Sequence, residues 1–276
     1  MQAGARPEHQ YVLGHSRHEL NRLSAQSQIF EPFTHQFFLD AGLRPGMRVL
    51  DIGSGAGDVA FLAASLIGSG GSVLGVDRAP AAADAANQRA RELGLDNVHF
   101  ISGDPTEMGF DDAFDAVVGR LVLMYYPDPA AALRKLTQIT RQGGLVAFQE
   151  LDIRGAQSYS PAPLVAKCVE WIERMLKTGG SNPYMGSALY ATFVAAGLPK
   201  PAVRLDHAIG AGPGHPIYSV LSDSVRTLLP QIEKLGLATA AEVDIDTLRN
   251  RIEAAVATGP GIVAMPALIG AWSRIE

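Results

Sequence analysis

The stretch Val49-Leu50-Asp51-Ile52-Gly53-Ser54-Gly55-Ala56-Gly57-Asp58 joins a short apolar run to three closely spaced glycines. The run predicts a buried strand, and the glycines predict a tight turn that opens a helix. Because glycine has no side chain, a ligand can approach the backbone N–H groups of such a turn directly. The stretch therefore predicts a ligand site at the carboxyl end of this strand.

Short β-branched runs alternate with helix-like segments on both sides of this turn. Strands are predicted at Arg48–Ile52, Ser72–Val76, Val98–Ile101, Phe114–Leu123 and Leu145–Glu150. Helices are predicted at Val59–Ile67, Pro80–Leu93 and Pro129–Thr140, where proline starts and glycine stops mark the ends. Strands that alternate with helices imply parallel pairing through right-handed crossovers.

The flanking regions predict helical additions and two more strands. Capping-box spacing occurs at Ser16–Glu19 and Thr239–Glu242. Further helices are predicted at Leu164–Lys177, Ser187–Ala196 and within Pro216–Thr258, and strands at Val203–Ile209 and Ala267–Ile275. We therefore predict an α/β, Rossmann-like, seven-stranded, mostly parallel sheet with helices on both faces and added helical lid segments. Residues 1–45 would form an N-terminal helical extension or lid, and 46–276 the main domain with helical insertions at about 160–186 and 213–258.

The amino-acid composition and net charge exclude several kinds of protein. The 276 residues are 47% apolar and 18% charged, which suits a large buried core. A net charge of −5 argues against tight, sequence-independent binding of nucleic acid. The single cysteine, Cys168, excludes an internal disulfide and suits a reducing compartment. Because neither a secretion signal nor a run of about 18 apolar residues is visible, we expect a cytoplasmic protein with no membrane partner.

A nicotinamide-dinucleotide site is a weaker interpretation of the glycine turn. Its fingerprint, G-x-G-x-x-G, would place a third glycine where this chain has Asp58. A carboxylate at that position would repel a pyrophosphate, and it suits a cationic ligand instead. Two other carboxylates close the next strands: Asp77 could accept the hydroxyls of a ribose, and Asp104 the exocyclic amine of an adenine. Together they predict an adenosine that carries no phosphate.

These motifs, in this order over Met47–Asp152, resemble the class I S-adenosylmethionine-dependent methyltransferases, and the ends of the pattern resemble their small-molecule subgroup. The resemblance implies that Gly53, Gly55 and Gly57 surround the methionine part of S-adenosylmethionine. It also implies that Asp77 holds the ribose and that Asp104 and Pro105 border the adenine. The full set of predicted cofactor-binding residues is Asp51, Gly53, Ser54, Gly55, Gly57, Asp77, Arg78, Gly103, Asp104, Pro105, Arg120, Leu121 and Tyr125.

Methyl transfer requires alignment, exclusion of water and, for some acceptors, a base. The run Tyr11–Ser16 resembles the lid entrance of bacterial methyltransferases for metabolites and natural products. His15, beside Tyr11, is our first candidate for a general base, and a hydrogen bond that fixes the lid is the alternative role. Glu150, at the end of the fifth strand, could orient an acceptor amine or hydroxyl.

The acceptor is expected to be a small, planar or apolar molecule methylated on oxygen, nitrogen or carbon. The predicted substrate-binding residues are Met124, Trp171, Met185 and Tyr218, with core packing as the alternative role of each. No metal site is predicted, because Asp111, Asp112 and Asp115 suit a solvated turn. A cofactor-binding regulator without turnover and an NAD(P)-dependent oxidoreductase remain alternatives, and the protein could be a monomer or a homodimer.

Overall fold

The computed structural model describes residues 17–159, 162–257 and 261–276. The described strands are β1 (Arg48–Ile52), β2 (Ser72–Asp77), β3 (Val98–Ser102), β4 (Phe114–Arg120), β5 (Thr140–Asp152), β6 (Gln157–Ser158), β7 (Ala202–Asp206), β8 (Ile209–Ala211), β9 (Ile262–Ala264) and β10 (Ala267–Arg274). The described helices are α1 (Arg17–Ala41), α2 (Asp58–Ile67), α3 (Pro80–Glu92), α4 (Pro129–Gln138), α5 (Pro163–Thr178), α6 (Met185–Ala195), α7 (Pro216–Lys234), α8 (Ala240–Val243) and α9 (Ile245–Ala257).

The main sheet has seven strands in the order β3-β2-β1-β4-β5-β10-β7. The first five are parallel, and β10 runs antiparallel to both β5 and β7. The predicted fold class is therefore confirmed. The order reverses direction at β1 and β4, and in open α/β sheets ligands bind in the crevice outside the carboxyl ends of the strands at such a point.

Helices cover both faces of the sheet because the strands are apolar on both sides. Buried side chains of α1, α2 and α3 pack on one face, around Val49 and Val118. Those of α4 and α6 pack on the other, around Ile52 and Phe148. A third apolar cluster joins α5, α7 and α9 to Phe30 of α1 and Leu268 of β10.

A second sheet of three short strands, in the order β6-β9-β8, was not predicted. The strand predicted at Val203–Ile209 is in fact divided, because β7 ends at Asp206 and β8 belongs to this second sheet. His207 lies at the break, and its Nε2 is 2.9 Å from the carbonyl oxygen of Gly155 and 2.6 Å from that of Met265. Strands of two or three residues are too short to show an alternating pattern, so periodicity could not have found them.

Other boundaries differ from the prediction as well, and β4 ends at Arg120 instead of Leu123, which begins a 3₁₀ turn. Strand β5 begins at Thr140, before the glycine pair that was expected to lie between a helix and this strand. Helix α4 correspondingly ends at Gln138. The capping box at Thr239–Glu242 is confirmed by both of its hydrogen bonds, whereas Ser16 of the other proposed box lies outside the described residues.

Candidate active site

The glycine turn is locked to the end of β2 by backbone hydrogen bonds. Gly53 donates to the carbonyl of Val76 at 2.8 Å, and Gly55 donates to Oδ2 of Asp77 at 2.9 Å. Gly53 and Gly55 have φ values of +64° and +51°, which side-chain-bearing residues rarely adopt. A Cβ atom on Gly55 would meet nothing within 4 Å, so the turn presents its backbone to open space.

That space is part of a cavity of about 530 Å³ that runs along the carboxyl edge of the sheet. We call the part beside the glycine turn the charged half. It is lined by Gln26, Ser27, Gly53, Ser54, Gly55, Asp58, Asp77, Arg78, Gly103, Pro105 and Arg120. We call the part under the added helices the apolar half. It is lined by Ile153, Val165, Val169, Ile172, Leu176, Ser181, Ile217, Val220, Leu221, Ser224, Leu228, Val263 and Met265.

Asp77 lies where β2 ends and lines the charged half. Its Oδ2 accepts the amide hydrogen of Gly55, and its Oδ1 accepts that of Ala79 at 2.9 Å. The carboxylate therefore fixes the glycine turn and the start of α3 together. Its proposed contact with a ribose stays a prediction.

Asp104 is held by its own neighbours and is not among the residues that line the cavity, whereas Gly103 and Pro105 are. One oxygen pairs with Arg78 Nη2 at 2.6 Å, and the other accepts hydrogen bonds from Thr106. Burial alone would raise the pKa of this carboxyl, but the bonds from Thr106 and Arg78 hold it below its usual value. The expected contact of Asp104 with an adenine amine stays a prediction, and the pairing with Arg78 and Thr106 holds the carboxylate between Gly103 and Pro105, which line the cavity.

Asp58 lines the charged half, but its charge is already paired within the protein. Its Oδ1 lies 2.9 Å from Nη2 of Arg89 in α3. The carboxylate still occupies the position that a third glycine would have in a dinucleotide fingerprint.

Arg120 ends β4 and is the cation most deeply placed in the charged half. Its guanidinium donates to the hydroxyl of Thr34 at 3.0 Å and to that of Ser27 at 2.9 Å, and both residues belong to α1. Burial lowers the pKa of Arg120, and the nearest carboxylates, including Asp58 and Asp51, oppose that shift from a distance. The described residues thus hold this cation with neutral hydroxyls and turn it towards the cavity.

Two polar side chains at the glycine turn are buried without a hydrogen-bond partner among the described residues. Both carboxylate oxygens of Asp51 are unpartnered, and so is the hydroxyl oxygen of Ser54. Asp51 is 1% exposed, and burial raises its pKa well above the usual value, although Arg120 lowers it. Buried polar groups are nearly always paired. Ser54 lines the cavity and Asp51 does not, so it is the Ser54 hydroxyl that indicates a polar ligand there.

The segment after β4 lines the cavity and packs on the glycine turn through Val122. Leu121 has a φ of +57°, an unusual value for a side-chain-bearing residue, and donates its N–H to the carbonyl of Gln149 at 2.8 Å. Leu121, Met124 and Tyr125 all line the cavity. Backbone strain of this kind is often found at functional sites, which agrees with the position of this segment.

Glu150 does not reach the cavity, so its expected role in orienting an acceptor is corrected. The side chain is 0% exposed, and its Oε1 accepts the N–H groups of Val122 at 2.9 Å and Leu123 at 2.6 Å. Burial raises its pKa to about 8, although the backbone amides that face it act in the opposite direction. The side chain on β5 points under the segment after β4, not out of the carboxyl edge.

Three of the four predicted substrate-binding residues are also corrected. Trp171, Met185 and Tyr218 are buried in the apolar core and do not line this cavity, whereas Met124 does. Tyr218 instead donates its hydroxyl to the carbonyl of Gly212 at 3.0 Å. The added helices turn these large side chains inwards and present a different, aliphatic face to the cavity.

That aliphatic face was missed, although its spacing was visible in the sequence. Val165, Val169, Ile172 and Leu176 follow one another at intervals of four, three and four residues, which places them on one stripe of α5. Ser27 and Thr34 of α1 were missed as well, and no local pattern singles them out. Only the packing of α1 on the sheet brings their hydroxyls to Arg120.

His15 and Tyr11 lie outside the described residues, so their proposed catalytic role stays a prediction. Among the residues whose side chains the structure describes, from residue 26 onward and outside the gaps given above, no histidine lines the cavity, and no group of three or more potential ligands could hold a metal ion. Across the same residues, no helix combines the length and apolarity needed to cross a membrane.

Comparison with known proteins identifies the family. A family model described as "Methyltransferase domain" matches residues 43–178. Aklanonic acid methyltransferase DauC of Streptomyces sp. (strain C5) is 36% identical over 54% of this chain and 81% of its own length. The 2-phytyl-1,4-naphtoquinone methyltransferase of Synechococcus elongatus is 38% identical over 43% of this chain and 50% of its own length. The solved structure of YcgJ from Bacillus subtilis shares the fold, with a TM-score of 0.56 at 20% identity over 89% of this chain and all of that one.

The fold and these relatives define a methyltransferase of the Rossmann-like class. The chain belongs to the S-adenosylmethionine-dependent methyltransferases, whose cofactor supplies an activated methyl group on a sulfonium. The described residues fit this cofactor, because the charged half joins an open glycine turn and the unpartnered hydroxyl of Ser54 to the Arg120 cation. Such a set suits a ligand that carries both an ammonium and a carboxylate.

Proposed function

We propose that this enzyme transfers the methyl group of S-adenosylmethionine to an oxygen, nitrogen or carbon atom of an apolar small organic molecule. The observation that carries the proposal is the apolar half of the cavity, whose described lining contains aliphatic side chains and two serines but no charged side chain. Burying a charged acceptor among such side chains would be costly. The names of the two relatives, which refer to aklanonic acid and a phytyl naphthoquinone, support the same chemical class.

In this proposal, the two halves of the cavity have separate roles. The glycine turn surrounds the methionine part of the cofactor, and Arg120 faces its carboxylate. Asp77 takes the ribose, and Gly103 and Pro105 border the adenine. Leu121 and the residues that follow separate the cofactor from the acceptor, so that the acceptor atom meets the methyl group within an enclosure that excludes water.

The reaction is an in-line displacement, in which an electron pair of the acceptor forms the bond to the methyl carbon as the carbon–sulfur bond breaks and its electrons go to sulfur. The pair is a lone pair for an oxygen or nitrogen acceptor and a π pair for an electron-rich carbon. Any proton on the acceptor atom leaves to a base or to water. Among the described residues, the apolar half offers no titratable side chain as that base. We therefore keep His15, assisted by Tyr11, as the proposed base, and an acidic acceptor would need none.

The acceptor class is tested by transfer of radiolabelled methyl to a panel of acceptors. We expect 1,4-naphthoquinol, which is uncharged, to be methylated, and glycine and ethanolamine not to be. The substitution Ile172→Asp places a carboxylate in the apolar half, and we expect it to lower turnover of the accepted compounds at least about tenfold. Affinity for S-adenosylhomocysteine should stay within about threefold of the wild-type value.

Val194→Asp is the matched control, because Val194 lies on the exposed side of α6, away from the cavity. It should leave both turnover and cofactor affinity unchanged. Methylation of only the polar amines, or equal turnover in Ile172→Asp and Val194→Asp, would contradict the proposed acceptor class.

His15→Ala tests the proposed base separately. We expect turnover to fall by about 10²- to 10⁴-fold, the usual contribution of a general base, while the dissociation constant for S-adenosylhomocysteine stays unchanged. The measurements are single-turnover methyl transfer and calorimetric titration. Because His18→Ala removes a nearby histidine that was not proposed to react, it should retain turnover. Unchanged turnover in His15→Ala would rule out this residue as the base.

A further inference from the structure

Glu150 has a role in this site that differs from the one its position in the sequence suggested. We propose that Glu150 is a positioning residue, which fixes the segment after β4 and so sets the wall of the cavity between methyl donor and acceptor. The inference rests on the proposed function. It assigns no contact between Glu150 and either ligand, because the side chain lies behind the wall and not in the cavity.

The contacts of Glu150 all go to the start of one tight turn. A single oxygen, Oε1, accepts the consecutive N–H groups of Val122 and Leu123. Val122 is the residue that precedes the short 3₁₀ turn Leu123–Tyr125, whose first N–H groups have no partner inside the turn. Glu150 therefore caps this turn from a neighbouring strand.

The capped turn reaches the cofactor region through Val122. A Cβ atom on Gly53 would lie 2.4 Å from Cγ2 of Val122, so the valine packs directly on the backbone of the glycine turn. On the other side, a Cβ atom on Gly119 would lie 2.8 Å from Cγ1 of the same valine. A shift of Val122 would therefore move the surface on which the glycine turn rests.

The cap also holds the strained residue beside it. Two hydrogen bonds hold Leu121 at its positive φ. Its own N–H donates to the carbonyl of Gln149, and the N–H of Val122, the next residue, donates to Glu150. Gln149 and Glu150 are adjacent on β5, so one strand supplies both hydrogen-bond acceptors. Strained backbone persists only where its surroundings determine it, and here β5 supplies that constraint.

The role requires a hydrogen-bond acceptor at Oε1 and not a charge. Besides the backbone amides, no charged side chain of the described residues contributes to the pKa of Glu150. Its strand neighbour on β10 is Ile269, and Gly186 of α6 packs against its backbone carbonyl. A glutamine at this position would keep an acceptor oxygen of the same reach, whereas an alanine would leave two amides without their partner.

The test is calorimetric titration of S-adenosylhomocysteine into the wild type, Glu150→Gln and Glu150→Ala. We expect the dissociation constant to stay within threefold in Glu150→Gln and to rise at least tenfold in Glu150→Ala. Val122→Ala, which removes the packing on Gly53 but keeps the cap, should give an intermediate loss. If Glu150→Ala does not fold, the Val122→Ala titration carries the test.

Ile67→Ala is the control for loss of stability, because Ile67 is buried at the far end of α2 and does not line the cavity. It should lower the unfolding temperature and leave affinity unchanged. Wild-type affinity in Glu150→Ala or in Val122→Ala, or equal losses in the glutamine and alanine variants, would overturn the inference. Failure of the wild type to bind S-adenosylhomocysteine would instead contradict the proposed function, so the two failures are distinguishable.

Discussion

Arg120→Met is expected to weaken binding of S-adenosylhomocysteine by about 10- to 100-fold. Hydrogen bonds to a charged group contribute about 1.5–3 kcal/mol, and about 1.4 kcal/mol corresponds to a factor of ten. The guanidinium lies in the charged half and is held by the hydroxyls of Ser27 and Thr34, without a described carboxylate in contact. A ligand carboxylate would therefore supply the anion that this buried cation lacks.

A truncated ligand separates this contact from a general loss of the site. 5′-Methylthioadenosine has the adenosine part but no amino-acid carboxylate, so Arg120→Met should leave its affinity within about threefold of the wild type. Arg204→Met is the matched control, because Arg204 also joins α1 to the sheet, through Asp40, but does not line the cavity. Equal losses for both ligands, or equal losses in both variants, would show that Arg120 acts by placing α1 and not by binding the carboxylate.

Glu150→Gln is expected to become increasingly stable relative to the wild type as the pH rises from 5 to 8. Burial raises the pKa of Glu150 from 4.5 to about 8 in the folded chain. Between these values, the unfolded wild type releases a proton that the folded form keeps, so rising pH favours unfolding. The free energy of unfolding of the wild type falls by up to about 1.4 kcal/mol per pH unit, and by at most about 5 kcal/mol between the two pKa values. Because glutamine does not titrate, Glu150→Gln lacks this pH-dependent loss of stability.

The measurement is urea denaturation of both proteins at pH 5, 6, 7 and 8 without ligand. Other titrating groups, such as Asp51, contribute to both proteins and cancel in the difference between their free energies of unfolding. A difference that stays constant with pH would show that Glu150 keeps an ordinary pKa in the folded protein. Above pH 8 the difference should level off, since the folded form then loses its proton as well.

The parts of the site that could be predicted are those in which the residues of a local sequence motif themselves line the cavity. Gly53 and Gly55 sit in a strand–turn–helix unit whose backbone itself faces the cavity, so the motif and the geometry are the same feature. Asp77 ends the next parallel strand and must lie at the same edge of the sheet. In both cases the residue's position at the carboxyl edge of the sheet follows from where the strand before it ends.

The two aromatic residues predicted to bind the acceptor, Trp171 and Tyr218, are buried for the same reason. Trp171 and Tyr218 were selected because large aromatic side chains often line pockets, but a helix that covers a cavity also has to pack against its neighbours. Here α5 and α7 bury those side chains in the apolar cluster that they share and present aliphatic residues to the cavity. Which face of an amphipathic helix meets a partner helix and which meets a ligand depends on long-range packing that no local pattern encodes.

The sequence by itself determined the class of fold, the glycine turn and the family, because the period of the strands, their ends and the turn glycines are local properties. In a parallel sheet all the strand ends lie at one carboxyl edge, so the position of the site follows from them. Only the tertiary structure decided what the charged side chains at that edge do. It paired Asp104 with Arg78, turned Glu150 under the segment after β4, and placed Arg120 against the hydroxyls of α1. Buried polar groups take whichever partners the packing brings within about 3 Å, and residues far apart in the chain supply those partners.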